Sequence, residues 1–202
     1  FLDALDNDGD DLSISWTAFS DLTLTNHRIE IFSDSTCSTS VGTFLTGSST
    51  NSDSAAVDGL NTGDYWATVT AIDGIGSETT SNCSTDTIRV DKDSPIDNGA
   101  DLQFSAATDI DGNSIAVTWT AFSDPDGVVD HKLYTYTNNS CTLGETDHGA
   151  TSSGTNSNAT NITSLADGQY WAIVEAFDPG ANSTKSACST DSIIVDSTPP
   201  LD

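Results

Sequence analysis

Basic residues are scarce in this chain of 202 residues, which has five Lys and Arg against 31 Asp and Glu and a formal net charge of −26. Binding to nucleic acid phosphates requires clustered cationic side chains, so this balance argues against a nucleic acid partner. Methionine is absent, and no apolar run approaches the roughly 20 residues of a membrane-spanning helix. The sequence therefore predicts neither nucleic acid binding nor membrane insertion.

Glutamate is also rare, because 27 of the acidic residues are Asp and only four are Glu. Aspartate favours turns and oxygen-ligand loops over helices. Apolar residues alternate with polar ones in short segments, as at Leu12, Ile14 and Trp16, and Asp-Gly pairs such as Asp8-Gly9 separate these segments. We therefore expect short, half-buried β-strands joined by tight turns.

Several short segments of the sequence occur twice, and this repetition predicts the domain organisation. Residues 15–21 (SWTAFSD) return as residues 118–124 (TWTAFSD), and residues 65–67 (YWA) return as residues 170–172. The offset grows from 103 to 105 along the chain, so the loops between these blocks differ in length. Each copy spans about 104 residues, which is an ordinary domain size.

We predict two domains, residues 1–95 and residues 96–202. Phe1 aligns with Phe104, so the first domain is expected to begin inside its first strand. The repetition predicts that the natural protein is a longer array of such domains.

The spacing of aromatic residues resembles the fibronectin type III pattern. Trp16 ends a predicted second strand, and residues 60–71 read Leu-x-x-Gly-x-Tyr-x-x-x-Val-x-Ala, which is similar to the tyrosine corner that leads into a later strand of that family. Trp119 and residues 165–176 repeat both features. The resemblance implies an all-β protein of two tandem Ig-like (fibronectin type III-like) β-sandwiches.

Four cysteines occupy equivalent positions in the two copies, Cys37 with Cys141 and Cys83 with Cys188. Of the three pairings that four thiols allow, only Cys37–Cys83 with Cys141–Cys188 keeps the copies equivalent. Each bridge would close a loop of about 46 residues and stabilise its domain by about 4 kcal/mol through chain entropy. Disulfides predict an oxidising, extracellular compartment. A zinc site is the alternative, although the chain has no Cys-x-x-Cys pair.

The resemblance sets a geometric condition on this pairing. In such a sandwich, the strand after Gly63 lies between the strand that ends near Cys37 and the strand that holds Cys83. Two strand spacings measure about 9.5 Å, which exceeds the roughly 7 Å limit between the Cα atoms of a disulfide. We therefore expect Cys37 and Cys141 to lie in loops that fold across the end of the sheet.

Oxygen-bearing side chains alternate around a glycine in one loop of each copy, as they do in calcium-binding loops. The implied fold places the first of these loops at the same end of its domain as the linker between the copies. The candidate calcium ligands are Asp6, Asp8, Asp10, Asp91, Asp93, Asp109, Asp111 and Asn113. A plain Asp-Gly turn between strands is the alternative.

No histidine lies in a catalytic pattern, because His27, His131 and His148 have no Ser-His-Asp order or paired acids around them. The sequence therefore predicts no enzymatic activity.

The abundance of Asp, Ser and Thr and the Val-Asp-x-x-x-Pro linkers make the sequence similar to the tandem Ig-like repeats of bacterial surface proteins. The resemblance implies a stalk or filament segment of an extracellular, adhesin-like protein, which spaces or presents adhesive parts and contacts neighbouring repeats of the same protein. Two alternatives stay open. One is an Ig-like module that binds a carbohydrate or protein ligand, and the other is a subunit that self-assembles into a homo-oligomeric fibre or surface layer.

Overall fold

The structure is a computed structural model that describes residues 1–10, 12–46, 52–55, 59–99, 101–151 and 158–199. These residues form β-strands and turns, and they include no helix of the length and apolarity needed to cross a membrane. The contacts divide the chain into unit 1, Phe1–Lys92, and unit 2, Asp93–Asp202. The division thus falls between residues 92 and 93, whereas the sequence predicts it between residues 95 and 96.

Unit 1 is built from two β-sheets. The larger sheet has the strand order β1-β8-β6-β3-β4, with β7 also paired to β6, and the smaller sheet pairs β2 with β5. Strand β6 lies between β3 and β8, as the resemblance implies. The strands are β1 Leu5–Asp6, β2 Leu12–Ser15, β3 Leu24–Phe32, β4 Ser40–Thr46, β5 Ser52–Ala55, β6 Gly63–Asp73, β7 Glu78–Thr80 and β8 Ile88–Val90.

Unit 2 repeats this arrangement. Its larger sheet has the order β10-β17-β15-β12-β13, with β16 paired to β15, and its smaller sheet has the order β14-β11-β9. The predicted all-β fold of two tandem sandwiches is confirmed. The strands are β9 Gln103–Phe104, β10 Thr108–Asp109, β11 Ile115–Thr118, β12 Asp130–Tyr136, β13 Thr146–Ala150, β14 Asn158–Ile162, β15 Gly168–Phe177, β16 Ser183–Lys185 and β17 Ile193–Val195.

The first strand of each unit is divided between the two sheets. In unit 2, β9 pairs antiparallel with β11 in the smaller sheet, and β10 then pairs parallel with β17 in the larger one. In unit 1, β1 likewise pairs parallel with β8. The Leu2 amide donates to the Ser13 carbonyl at 3.0 Å, which is the position that β9 takes in unit 2. The N-terminal segment of each unit therefore bonds to both of its sheets.

The alternating apolar residues face the core between the two sheets. The tyrosine corners are present, because Tyr65 Oη donates to the Asn61 carbonyl at 2.8 Å and Tyr170 Oη donates to the Ala166 carbonyl at 3.0 Å. Burial of the tryptophans differs between the copies: Trp119 is 4% exposed, whereas Trp16 is half-buried at the edge of its core. The core of unit 1 consists of Leu12, Ile14, Ile29, Ile31, Leu60, Tyr65, Ala67, Val69, Ile88 and Val90.

Candidate functional site

Each unit contains one disulfide. It joins a hairpin turn on one side of the central strand of the larger sheet to the segment on the other side of that strand. Cys37 pairs with Cys83 at a Cα–Cα distance of 5.7 Å, and Cys141 pairs with Cys188 at 5.6 Å. Cys37 lies in the turn between β3 and β4, and Cys141 lies in the equivalent turn between β12 and β13. Both bridges thus start from turns, as the strand spacing predicts.

One side chain holds each of these turns in shape. The Asp34 carboxylate accepts the amides of Thr36, Ser38 and Thr39, and also the Thr36 hydroxyl. The hydrogen bond from the Thr36 hydroxyl, together with these amides, holds the pKa of Asp34 well below its usual range. The local fold matters because Cys37 has a φ of 52°, a left-handed conformation that costs energy for a residue with a Cβ atom.

The equivalent turn of unit 2 uses an amide side chain in place of this carboxylate. Asn138 Oδ1 accepts the amides of Thr142 and Leu143, both at 3.0 Å. Cys141 has a φ of 48°, so the same left-handed conformation is present. Either side chain supplies an acceptor oxygen at this point, which is what the turn requires.

The other half of the bridge depends on a bulge beside β6. Ser81 and Ser84 both donate their amides to β6, at 2.8 Å to the Val69 carbonyl and 2.9 Å to the Ala67 carbonyl. Their hydroxyls accept the amides of the same two β6 residues, at 3.0 Å and 3.1 Å. The two serines thus replace the backbone acceptors that a continuous strand would offer, and Cys83 between them is free to reach the turn.

Unit 2 has the same bulge, with the hydroxyls of Ser186 and Ser189 accepting the amides of Val174 and Ala172. The prediction that Cys83 lies on a strand is wrong, because Cys83 lies in this bulge between β7 and β8. The signal of the bulge is the repeated Ser-x-Cys-Ser pattern, present as Ser81-Asn82-Cys83-Ser84 in unit 1.

The acidic loop of unit 1 uses its carboxylates to hold the backbone. Asp6 Oδ1 accepts the amides of Asp8 and Gly9, Asp8 Oδ1 accepts the amide of Asp10, and Asp10 Oδ1 accepts the amide of Gly59. Gly9 has a φ of 74°, and a Cβ atom there would lie 2.6 Å from the Leu60 carbonyl oxygen. The glycine is therefore required by close backbone approach, whether or not the loop binds a cation.

The equivalent loop of unit 2 is built in the same way. Asp109 Oδ1 accepts the amides of Asp111 and Gly112, and these backbone bonds lower the pKa of Asp109. Asp111 Oδ1 accepts the amide of Asn113, and Asn113 Oδ1 accepts the amide of Ser164. Each predicted ligand within the two loops thus already uses one oxygen to stabilise the turn.

The structure brings only part of the predicted ligand set together. The Asp91 amide donates to the Asp6 carbonyl at 2.8 Å, so the loop of unit 1 does lie beside the end of β8, and Asp93 is an exposed residue of unit 2. Within either unit, no three His, Cys, Asp or Glu residues of the described ranges bring ligand atoms within 4.8 Å of one another. Calcium binding stays a prediction.

Two histidines lie in the cores. His27 and His131 are both 0% exposed. The His27 ring packs against Trp16 and Phe19 at centroid distances of 5.1 and 5.9 Å, and His131 packs in the same way against Trp119 and Phe122. Burial lowers the pKa of His27, because the charged ring would lose its hydration. Both rings therefore act as packing residues.

The outer face of the larger sheet differs between the units. In unit 2, Tyr134 Oη donates to Glu175 at 2.7 Å, and Lys185 Nζ lies 4.2 Å from the Tyr134 ring centroid. Burial and this hydrogen bond raise the pKa of Tyr134. In unit 1, the corresponding face instead carries the paired hydrogen bonds of Arg28 to Glu78, at 2.8 and 2.7 Å. Tyr134 is 7% exposed, so its ring offers little surface to a ligand.

Comparison with known proteins concerns the fold. No family model matches the chain, and no curated protein matches it. Solved structures do match. The FN1–FN3 domains of chicken CNTN1 share 14% identity over 96% of this chain and 65% of theirs, with a TM-score of 0.50. Domains A168–A170 of titin share 15% identity over 96% of this chain and 62% of theirs, with a TM-score of 0.51.

The two units are fibronectin type III-like sandwiches. The chain spans just under two-thirds of either matched structure, and at these identities the likeness concerns the fold alone. The fibronectin type III-like scaffold explains the tyrosine corners and the place of β6 between β3 and β8. The disulfides and the acidic loops are features of this chain's own sequence.

Proposed function

We propose that this chain is a load-bearing spacer, a stalk or filament segment of an extracellular, adhesin-like bacterial surface protein. The observation that carries the proposal is the disulfide that ties the β3–β4 turn of unit 1 to the bulge across β6, together with its copy in unit 2. Disulfides persist in oxidising compartments, which supports an extracellular location.

The parallel pairing of the terminal strands supports a mechanical role. In unit 1, Arg89 donates its amide to the Ala4 carbonyl at 3.0 Å, and Asp91 donates its amide to the Asp6 carbonyl at 2.8 Å. When the two ends of the unit are pulled apart, parallel β1 and β8 slide along their length. All the bonds between them then carry load together, whereas an antiparallel pair pulled from one end opens bond by bond.

Unit 2 presents the same geometry. Ile194 donates its amide to the Ala107 carbonyl and Asp196 donates its amide to the Asp109 carbonyl, both at 3.0 Å. Both units therefore resist extension through equivalent hydrogen bonds, as repeated spacers in one array require.

The test is force spectroscopy of the chain held at its two ends. Arg89→Pro removes the amide that Ala4 accepts, and we expect it to lower the unfolding force of one of the two units. Arg89→Ala is the matched control, because it removes the ion pair with Asp64, at 3.6 Å, and keeps the amide. If Arg89→Pro and Arg89→Ala unfold at the same forces as the original chain, the terminal strands do not bear the load.

A ligand-binding role is the second candidate, and one observation favours it. A cavity of about 350 Å³ lies between the segment after β2 and the β6–β7 turn of unit 1, lined by Phe19, Asp21, Leu24 and Asp73 among others. Screening the chain against immobilised glycans tests this role. Binding that Phe19→Ala removes would favour a ligand-binding module over a spacer.

A further inference from the structure

The edge strand β4 of unit 1 carries no charge. It is the last strand in the order of the larger sheet, and within the described part of the chain only β3 pairs with it. Residues 35–52 contain no Asp, Glu, Lys or Arg, although the chain has a net charge of −26. Edge strands are usually protected by charged side chains, prolines or bulges. The bulge of β4 lies at its start, before Gly42, so residues 42–46 are regular and open to pairing.

The hydrogen-bond ladder shows which backbone groups of β4 point outward. In an antiparallel sheet, the backbone groups of successive residues point to alternate sides. Val69 bonds both of its backbone groups to the bulge on the far side of β6, so its neighbour in β3, Ile29, bonds to Phe44 of β4. Thr43 and Leu45 therefore direct their amides and carbonyls away from β3.

Apolar side chains accompany these outward groups. Successive residues of a strand face opposite sides of its sheet. Leu45 lies on the outer face and is 66% exposed, whereas Phe44 packs against the margin of the core and is only partly buried. A second strand beside β4 would cover both side chains.

Unit 2 protects the equivalent edge. In β13, the positions that correspond to residues 43–45 are, in order, Asp147, His148 and Gly149. Asp147 places a charge on the edge, and Gly149 offers no apolar side chain. His148 Nε2 lies 2.8 Å from Thr135 Oγ1, so a polar pair closes the margin of the core. Strand β4 is thus suited to pairing with another strand, and β13 is not.

We propose that β4 pairs antiparallel with β4 of a second copy of this chain, with a two-fold axis beside Phe44. Each Thr43 then lies opposite Leu45 of the second copy and exchanges two backbone hydrogen bonds with it. The two Phe44 rings lie opposite each other as an aromatic cross-strand pair. Such an interface is isologous, because the same surface serves both copies.

Charge selects both the occupant and the register. Like-charged copies repel, so they approach closely only through an uncharged segment, and a cationic partner would find no carboxylate on β4 to bind. In the β3–β4 ladder, Arg28 pairs with Leu45 and Glu30 pairs with Thr43. An axis beside Phe44 places Arg28 of one copy in the same row as Glu30 of the other, about 14 Å apart across three strand spacings. An axis at Thr43 would instead place two glutamates in one row.

The contact is small, because one strand pair buries less than the roughly 1,000 Å² of a stable interface. We therefore expect weak association of single chains. The proposal is independent of the spacer role, since the force experiment loads β1 and β8 whereas this contact uses β4. Failure of either experiment leaves the other untouched.

The main test measures the mass of the full chain by sedimentation equilibrium from micromolar to millimolar concentration. We expect a monomer–dimer equilibrium that strengthens with salt, because salt screens the repulsion between two acidic chains. Thr43→Asp should weaken dimerisation by about tenfold, or 1.4 kcal/mol. Thr43→Asn, which differs from it only in charge, should retain the dimer, and melting of both variants checks that they fold. A chain that stays monomeric throughout, or a dimer that Thr43→Asp leaves intact, would overturn the proposal.

NMR on the same solutions locates the contact. The amides of Thr43 and Leu45 should gain protection from hydrogen exchange as concentration rises, whereas those of β13 should not. Protection of β13 without β4 would overturn the assignment to β4.

Cross-linking tests the register. Under mild oxidation, a mixture of Thr43→Cys and Leu45→Cys chains should form more covalent dimer than either variant alone. Preferential cross-linking of Thr43→Cys with itself would contradict the axis beside Phe44.

Discussion

Reduction of the disulfides should lengthen the chain that each unit releases when it unfolds under tension. The bridge of unit 1 joins residues that are 46 positions apart, so the residues between Cys37 and Cys83 cannot extend while it is intact. Each released residue adds about 3.5 Å of contour. Breaking the bridge should therefore add about 160 Å to the extension of unit 1, less the 5.7 Å that already separates the two Cα atoms.

The effect is large compared with the extension that the bridge permits. Unit 1 spans 92 residues, so 92 − 46 = 46 residues can extend in the oxidised state. Reduction should thus roughly double the length released per unit. Unit 2 closes 47 positions and should behave alike.

Optical tweezers with handles at the two ends of the chain measure this directly. Reductant should lengthen both unfolding events, whereas the double variant Cys37→Ser with Cys83→Ser should lengthen one event and leave the other as an internal control. Unchanged event lengths after complete reduction would refute the reasoning, because a bridge that does not limit extension cannot lie across the loaded path.

Three other outcomes can be checked by conventional unfolding experiments. The pKa of buried His27 is lowered relative to its unfolded value of about 6.5, so the unfolded chain binds more protons below that pH. The stability contributed by the neutral ring should be complete above about pH 6.5 and decline as pH falls. His27→Phe should remove this decline from denaturant titrations, and an unaltered pH profile would contradict the assignment. Trp119→Ala should destabilise unit 2 by about 3–5 kcal/mol because the ring is almost fully buried, and Trp16→Ala should cost less; equal costs in calorimetry would mean that the two rings are packed alike. Calcium, if it binds the acidic loops, should raise the melting temperature, and Asp8→Asn should abolish the rise while retaining an oxygen for the Asp10 amide. A chain that melts identically in calcium and in chelator would leave Asp6, Asp8 and Asp10 as turn residues only.

The sequence predicts the features that depend on local pattern and on the repeat. Alternation identifies the strands around Ile14 and Ile29, equivalence of the copies leads to Cys37–Cys83, and the spacing to Tyr65 identifies the corner that the structure contains. These features need only residues a few positions apart, or a comparison of one copy with the other.

The features that the sequence interpretation misses depend on contacts between distant segments. The sequence interpretation places Cys83 on a strand, and only the position of β6 shows that the hydroxyls of Ser81 and Ser84 accept its amides. The sequence identifies Gly9 only as a turn residue. The structure shows why glycine is required there, because a Cβ atom would lie 2.6 Å from the Leu60 carbonyl oxygen. The lower burial of Trp16 likewise depends on which residues pack over its ring, and the alternation of apolar residues along β2 does not predict those contacts.

The bulge between β7 and β8, like its equivalent in unit 2, also limits misfolding between neighbouring copies. Tethered domains of similar sequence meet at high local concentration, and exchange of strands between them is a common failure. A long edge strand would offer many unpaired backbone groups to a neighbour. Here the outer segment β7 is only three residues long, and the bulge separates it from β8. At this edge, a strand from an adjacent copy therefore finds little to pair with, and once Cys37 and Cys83 are joined, the strands between them are covalently enclosed within their own unit.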